Sequence, residues 1–123
     1  MILLDTNAML WVHQRHRRAR RLEHYGGQLC VSPASLLEIQ FLVEAGRIRL
    51  RSGAAVLELA DDERWAMDNP SAVDWFERAV DVRWTRDPFD RLLVAHAALR
   101  GWRLATGDGD LLERLGAAGS IEL

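Results

Sequence analysis

The chain has 123 residues, 49% of them hydrophobic, and a formal net charge of −2. This length predicts one compact domain, residues 1–123, and the charge argues against a uniformly basic surface that coats nucleic acid. All 16 basic residues are arginine, so a P-loop lysine, a Schiff base and a lysine general base are excluded.

No apolar run approaches the roughly 18 residues that a membrane-spanning helix requires. The opening "MILLDTN" has neither the basic segment nor the cleavage site of a secretory signal. We therefore expect a soluble cytoplasmic protein with no membrane partner. The lone Cys30 lies among apolar neighbours and is expected to be a small buried hydrophobe.

The first half of the chain predicts two strand–helix units. The run "MILL" predicts a buried strand, "DTN" a turn and "AMLWVH" a helix. A second strand is predicted at "QLCVS", followed by a helix at "PASLLEIQFLVEAG". That helix has Ser32 as its N-cap, Pro33 at its first position and Gly46 just past its end.

The second half continues the alternation. Two helices are predicted at "GAAVLELADDERW" and "PSAVDWFERAV", and a short strand at "VDVRW". A helix of about three turns follows at "DPFDRLLVAHAALRG", then a strand at "WRLATGD", a short helix at "GDLLERLG" and a final strand at "SIEL". Strands that alternate with helices imply right-handed crossovers, so the predicted fold class is α/β with a mainly parallel sheet covered on both faces.

Acidic residues follow almost every predicted strand. Ligands of open parallel sheets bind beyond the carboxyl ends of the strands, so these positions are the informative ones. They are Asp5, Glu38, Asp87, Asp90, Asp108 and Asp110.

Asp5 and Glu38 have different local explanations. Asp5 is as well explained by capping the first helix as by a functional role, because its polar neighbours could also provide the cap. Glu38 follows Ser35 by three residues, as in a capping box. The Ser32–Pro33 start, however, puts Glu38 nearly two turns into its helix, where a cap is not needed, so a functional role is favoured.

The two later pairs each contain one predicted cap. Asp87 precedes a proline, which fits an N-cap, and Asp90 then falls at the third helical position with its side chain available for binding. Asp110 forms an Asp-x-x-Glu cap signature, which leaves Asp108 without a local structural role. The hydroxyl of Thr106 could hydrogen-bond to a carboxylate or to a metal-bound water.

A cluster of Asp5, Glu38, Asp90 and Asp108 would require a cation. Four ionised carboxylates within a few ångströms repel strongly, and the chain has no lysine to neutralise them. Oxygen ligands select Mg²⁺ or Mn²⁺, and no Cys/His set at zinc spacing competes. Such a site suits hydrolysis of phosphodiesters or phosphomonoesters. The histidines are expected to be solvated, or packed in the case of His96, rather than metal ligands.

Four motifs in order resemble the PIN-domain ribonucleases of the VapC toxin type: "LLDTN", "LLEIQFLVEAGRIRL", "RDPFDRLLVAHA" and "RLATGD". The resemblance covers essentially the whole chain. It implies a three-layer α/β/α sandwich around a short parallel sheet, and metal-dependent endoribonuclease activity on an RNA substrate. It also implies a VapB-type antitoxin as partner and a homodimeric toxin.

The resemblance further implies roles for individual residues. Its acidic quartet falls on Asp5, Glu38, Asp90 and Asp108, of which the three aspartates would hold the metal and Glu38 would be a further ligand or orient water. Thr6 and Thr106 match its supporting hydroxyls. Asn7 and Trp84 depart from the usual pattern, which puts substrate choice in doubt. A catalytically silent module that binds RNA or protein is the alternative.

Five arginines stand within seven positions, at Arg15, Arg17, Arg18, Arg20 and Arg21. They could form a solvated helix face, contact RNA phosphates beside the acidic site, or bind acidic residues of a protein partner. The five tryptophans are expected to be core or interface anchors rather than platforms for bases.

Overall fold

The computed structural model describes residues 1–50 and 55–123, and in these ranges it contains a five-stranded sheet with helices on both faces. The strands are β1 (Ile2–Leu4), β2 (Leu29–Val31), β3 (Ala66–Met67), β4 (Arg103–Thr106) and β5 (Ser120–Glu122). The helices are α1 (Thr6–Gln14), α2 (Arg20–Glu23), α3 (Pro33–Glu44), α4 (Ala72–Val80), α5 (Pro88–Arg100) and α6 (Gly109–Gly119). Two 3₁₀ turns cover Arg17–Ala19 and Val56–Asp61.

The sheet has the strand order β3-β2-β1-β4-β5, and every neighbouring pair is parallel. β1 lies in the middle, where Leu3 and Leu4 have no exposed surface. This apolar strand is the "MILL" run, and its burial explains why it has no polar alternation. Because all five strands run the same way, their carboxyl ends share one edge of the sheet.

Alternate residues of β1 belong to two separate cores, one on each face of the sheet. Ile2 and Leu4 pack with side chains of α1, α2, α3 and the second 3₁₀ turn. Leu3 packs with side chains of α4, α5 and α6. The predicted α/β/α sandwich around a parallel sheet is therefore confirmed. None of the helices in the described part of the chain is long and apolar enough to cross a membrane.

The two helices that carry the distinctive motifs begin and end as predicted. Ser32 caps α3 by accepting a hydrogen bond from the Ala34 amide, with Pro33 at the first position, and Gly46 just beyond has φ of 70°. α5 is capped by Asp87 and stops at Gly101, whose φ of 71° is a left-handed conformation that glycine adopts without strain.

The predicted strand at "VDVRW" is wrong. Val80 ends α4, and Val82 packs into a core cluster from the turn that follows. The strand that fills the edge of the sheet is instead the two-residue β3, whose ladder is extended by the Asp68 amide bonding to the Val31 carbonyl at 2.9 Å. So short a segment has no periodicity to detect.

The predicted helix at "GAAVLELADDERW" is wrong in type where it can be described. Val56–Asp61 forms a 3₁₀ turn rather than an α-helix, while residues 53–54 of that prediction lie outside the described residues. Trp65 follows as a core anchor, since its indole N–H donates to the Leu59 carbonyl at 2.8 Å.

Candidate active site

The four predicted carboxylates come from four different elements that meet at the carboxyl edge of the sheet. Asp5 directly follows β1, and Asp108 follows β4 by two residues. Asp90 lies in the first turn of α5, and Glu38 lies in the second turn of α3. The parallel topology therefore brings together residues that are up to 103 positions apart.

Asp5 is both a helix cap and a buried member of this group. Its Oδ1 accepts a hydrogen bond from the Ala8 amide at 2.7 Å, and the residue is 6% exposed. Burial raises the pKa of Asp5 to about 6, against the hydrogen bonds of Thr106 and Ala8, and the charge of Asp108 adds to the rise. The capping role that the sequence left open is thus confirmed, and the cap places the Asp5 carboxylate beside the other acidic residues.

Glu38 is held by the hydroxyl of Thr6. Thr6 Oγ1 donates to Glu38 Oε1 and lies 3.1 Å from the buried Ser35 Oγ. Burial raises the pKa of Glu38, the Thr6 bond opposes the rise, and the charges of Asp87 and Asp5 increase it. The predicted supporting position of Thr6 therefore corresponds to a direct contact with one carboxylate of the quartet.

The pKa of Asp90 is raised by burial and by the charges of four other carboxylates. Burial raises its pKa to about 7, and the charges of Asp87, Glu38, Asp108 and Asp5 each add to the rise. The prediction that Asp87 is a cap is confirmed, since its Oδ1 accepts from the amides of Phe89 at 2.8 Å and Asp90 at 3.2 Å. The Asp90 carboxylate is thereby left to face the other acidic residues.

Asp108, and not Asp110, caps α6, so that prediction is wrong. Asp108 Oδ1 accepts hydrogen bonds from the amides of Asp110 at 2.8 Å and Leu111 at 3.1 Å. The Asp108 amide donates to Thr106 Oγ1 at 3.0 Å, so Thr106, a predicted supporting residue, contacts the main chain of Asp108 directly. The error arose because α6 begins at Gly109, two residues earlier than a cap at Asp110 implies.

The donor set fits a hard divalent cation by its chemistry. All four carboxylates offer oxygen, the ligand that Mg²⁺ and Mn²⁺ prefer. The positive charge of Arg18 offsets a little of their mutual repulsion, because it slightly lowers the pKa of Asp5. Within residues 1–50 and 55–123, no three acidic, histidine or cysteine side chains already stand at the spacing of a metal site. The four carboxylates thus offer suitable donor atoms, although these atoms are not drawn together at ligand spacing.

An open cleft of about 500 Å³ adjoins the quartet. Asp90 and Asp108 line one part of it, and the remainder is lined by Trp84, Thr85, Asp110, Leu111, Glu113 and Arg114. The sequence marks Trp84 as a departure from the family pattern and predicts it, with the other tryptophans, to be a core or interface anchor. Its position in the cleft could not be read from the chain, because Trp84 and α6 approach each other only in the folded protein.

The arginine run does not form one uniform face. Arg18 lies against the site: its guanidinium is 4.4 Å from the Trp11 ring centroid, and a Cβ added at Gly107 would lie 2.7 Å from its Nη2. Arg21 donates to the Glu122 carbonyl at 2.6 Å, and Arg15 ends α1 with φ of 55°. The remaining members, Arg17 and Arg20, are exposed.

His96 is packed, as predicted, and belongs to a network outside the quartet. It has no exposed surface, and its Nε2 lies 2.7 Å from Asp68 Oδ2. Arg100 Nε donates to the same Asp68 oxygen at 2.8 Å. Sequence reasoning missed Asp68, whose partners are 28 and 32 residues away.

Comparison with known proteins assigns the chain to a family. Residues 2–117 match the PIN domain family. Ribonuclease VapC22 of Mycobacterium tuberculosis is 32% identical over 114 residues, which cover 87% of this chain and 86% of that protein.

Solved structures share the fold at lower identity. A toxin–antitoxin complex from Klebsiella pneumoniae contains a chain with a TM-score of 0.69 and 22% identity, covering 100% of both chains. VapBC2 from Rickettsia felis, bound to a DNA fragment of its promoter, gives a TM-score of 0.71 at 18% identity, covering 100% of this chain and 99% of that one. FitAB bound to a DNA fragment gives 0.57 at 20%, covering 99% and 94%.

Proposed function

The chain belongs to the PIN-domain family, and we propose that it is a Mg²⁺- or Mn²⁺-dependent endoribonuclease that acts as the toxin of a toxin–antitoxin pair. One observation carries the proposal: carboxylates from four separate elements converge at the carboxyl edge of the sheet, where the charges of neighbouring carboxylates raise the pKa values of Asp5, Glu38 and Asp90 further than burial alone. A fold does not need this mutually repulsive arrangement, whereas metal-assisted hydrolysis does. The name of the relative from Mycobacterium tuberculosis supports ribonuclease activity.

Asp5, Asp90 and Asp108 would hold the metal. When bound, the ion lowers the pKa of water and stabilises the charge that develops on an RNA phosphate. Thr106 positions two of these ligands, because it hydrogen-bonds to the Asp5 side chain and accepts from the Asp108 amide. These contacts hold the Asp5 carboxylate and the Asp108 main chain in place.

Glu38 orients the attacking water and takes its proton. Thr6 is bonded to Glu38 Oε1, so we assign Oε2 to the water. Burial raises the pKa of the Glu38 carboxyl, which makes it a stronger proton acceptor than a solvated glutamate. Thr6 is thus a positioning residue that acts through Glu38.

RNA binding falls to the exposed arginines beside the site. Stacking on Trp11 holds the Arg18 guanidinium near Gly107, one residue before Asp108. From there it can contact a phosphate next to the scissile one, while Arg17 and Arg20 supply positive charge further away. Arg21 anchors β5 and contributes less, and Arg15 stands at the end of α1.

A VapB-type antitoxin is the proposed protein partner, and the toxin is proposed to be a homodimer in the cytoplasm. The solved toxin–antitoxin complexes with this fold support the first part. The chain also exposes apolar surface that such contacts could cover. It includes Leu37 and Phe41 on α3 and Val73, Phe76 and Val80 on α4.

Cleavage of total cellular RNA by antitoxin-free protein tests the proposal. The reactions contain EDTA, Mg²⁺ or Mn²⁺, and the Asp5→Asn variant serves as the control for a contaminating nuclease. Discrete fragments that require metal and are absent with the variant are the expected result. No cleavage by folded protein with either metal would favour a catalytically silent binding module instead.

A further inference from the structure

Trp84 stands apart from the buried tryptophans of the fold. Trp65 and Trp75 are 4% and 5% exposed, and their indole N–H groups donate to main-chain carbonyls at 2.8 Å. Trp84 is half-buried: part of the ring packs against the core beneath α5, and the side chain also lines the cleft of about 500 Å³ shared with Asp90 and Asp108. It is therefore a fixed aromatic surface beside the proposed metal ligands.

The opposite wall of this cleft is supplied by α6. The Arg114 guanidinium carbon lies 5.7 Å from the Trp84 ring centroid, and Glu113 and Asp110 line the same space. All three α6 residues are exposed. A planar ligand has a π-face that can stack and edge groups that can hydrogen-bond. The cleft offers an indole ring for the face, and a guanidinium and carboxylates for the edge.

We propose that this cleft, which we term the Trp84 subsite, binds one unpaired RNA base next to the scissile phosphate. The base displaces the Arg114 guanidinium from the Trp84 ring and stacks there, and the displaced guanidinium contacts the base or its phosphate. The carboxylates of Glu113 and Asp110 accept hydrogen bonds from an exocyclic amino group. The subsite thus favours cytosine, adenine or guanine over uracil, which has no amino group. This inference rests on the proposed ribonuclease function and adds a basis for sequence preference.

The charges of the cleft favour a base over a phosphate as its occupant. Asp90, Asp108, Asp110 and Glu113 line it, and Arg114 is the cation among its lining residues. With Asp90 and Asp108 assigned to the metal, a phosphate in the rest of the cleft would still face two carboxylates against the one guanidinium of Arg114, whereas a neutral base with N–H donors meets acceptors. Stacking on an aromatic ring is the usual way in which proteins hold single-stranded bases.

Binding of labelled single-stranded oligocytidylate and oligouridylate, ten nucleotides each, tests the subsite. The two probes differ in the amino group that the carboxylates would accept. Fluorescence anisotropy in Mg²⁺ buffer, with the Asp5→Asn background to prevent cleavage, is expected to show tighter binding of oligocytidylate. Equal affinity for the two probes would overturn the preference for an amino-bearing base.

Variants of Trp84 assign the effect to this ring. Trp84→Leu is expected to weaken binding of oligocytidylate roughly ten-fold or more, and Trp84→Phe by only a few-fold, since a smaller ring still stacks. Trp102→Leu is the matched control, because Trp102 also packs against the same core but does not line the cleft. Unchanged binding by folded Trp84→Leu protein would overturn the proposal, and thermal unfolding of each variant establishes that it is folded.

Glu113→Gln tests the hydrogen-bonding part without risk to the core, since Glu113 is exposed. A glutamine amide donates as well as accepts, so the preference for oligocytidylate over oligouridylate is expected to fall towards one. Glu77→Gln, an exposed substitution on α4, is the control and should leave it unchanged. A preference that survives Glu113→Gln and also Asp110→Asn would contradict the assigned contacts.

The same preparations separate failure of this inference from failure of the proposed function. If wild-type protein cleaves RNA in a metal-dependent way but Trp84→Leu cleaves with the same KM and the same base preference, only the Trp84 subsite is wrong. If wild-type protein cleaves no RNA, the ribonuclease proposal itself is contradicted.

Discussion

Two threonine hydroxyls show how single residues shape the site. Thr6 donates to Glu38, and Thr106 hydrogen-bonds to the Asp5 side chain and accepts from the Asp108 amide. Each directs a carboxylate towards the shared edge without contributing a charge of its own. Both threonines are buried, so their hydroxyl bonds are made away from competing water.

His96 is the residue that gives the fold a pH dependence independent of the quartet. Burial lowers the pKa of His96, and its bond to Asp68 only partly opposes the change. Asp68 has a lowered pKa because, although burial raises it, the bonds of Arg100 and His96 outweigh burial. The Nδ1 atom of His96 has no hydrogen-bond partner in the described part of the chain, which is consistent with a neutral ring that donates from Nε2.

We predict that the His96 network stabilises the protein less as the pH falls below about 6.5, the ordinary pKa of histidine. The unfolded chain then binds a proton on His96 that the folded chain resists, so the free energy of unfolding decreases. Asp68 acts in the same direction at lower pH, because its lowered pKa makes the folded state resist protonation. Urea unfolding at pH 7.5, 6.5 and 5.5 measures the slope.

The His96→Gln variant isolates this contribution from that of the quartet. Its free energy of unfolding should depend less steeply on acidification than that of the wild type. The carboxylates with raised pKa act in the opposite sense, because protonation favours their folded state, and they are common to both proteins. Identical pH profiles for the two proteins would show that His96 is not held neutral.

At the scale of elements, three helices begin at the acidic edge and each is capped by an aspartate. Asp5, Asp87 and Asp108 cap α1, α5 and α6. The amino end of a helix carries partial positive charge, which stabilises carboxylates at this edge. Capping and the proposed metal binding therefore use the same positions. This explains why local sequence patterns could not separate the two roles at Asp5 and assigned the cap to Asp110 instead of Asp108.

Two substitutions of Asp108 separate its roles. Asparagine caps a helix about as well as aspartate, so Asp108→Asn should keep the wild-type thermal stability but lose RNA cleavage. Alanine cannot cap, so Asp108→Ala should lose cleavage and also roughly 1 kcal/mol of stability. Thermal unfolding and cleavage assays on both variants provide the comparison. Full cleavage by Asp108→Asn would remove Asp108 from the metal ligands.

The elements that could be predicted are those with strong end signals. α3 and α5 each start with a capping residue followed by proline and stop near a glycine with positive φ, so their bounds followed from local chemistry. β3 could not be found in this way, because two residues acquire a strand conformation only by pairing with β2. The "VDVRW" segment has strand-forming residues, but Val80 ends α4 and Val82 packs into a core cluster instead of pairing with the sheet.

At the scale of the whole molecule, parallel topology creates the site. The sequence indicated the four carboxylates as residues that follow predicted strands. A turn rather than a strand precedes Asp90 and α5, but the fold still brings its carboxylate to the same edge as the others. The contacts between the site and Trp84, Arg114 or Arg18 depend on the packing of distant segments. Those contacts could not be obtained from spacing along the chain.

Repulsion among the four carboxylates lowers the free energy of unfolding of the whole protein, and a bound metal ion should restore it. We predict that Asp90→Asn stabilises the EDTA-treated protein at pH 8 by about 1 kcal/mol, since it removes one charge from the cluster; solvent around the half-buried residue keeps the effect small. Mn²⁺ should raise the melting temperature of the wild type more than that of this variant. Equal shifts for both proteins would indicate that metal binds elsewhere.

The pair Asp87 and Asp90 provides the most direct test of the central claim, that the carboxylates at this edge are a metal-dependent ribonuclease site. The two residues share one turn of α5, but Asp87 caps the helix and Asp90 faces the quartet. The measurement is the rate at which Asp90→Asn and Asp87→Asn cleave one RNA in Mg²⁺, with both variants shown to be folded. Cleavage lost in Asp90→Asn and largely kept in Asp87→Asn is the predicted result; undiminished cleavage by Asp90→Asn would contradict it.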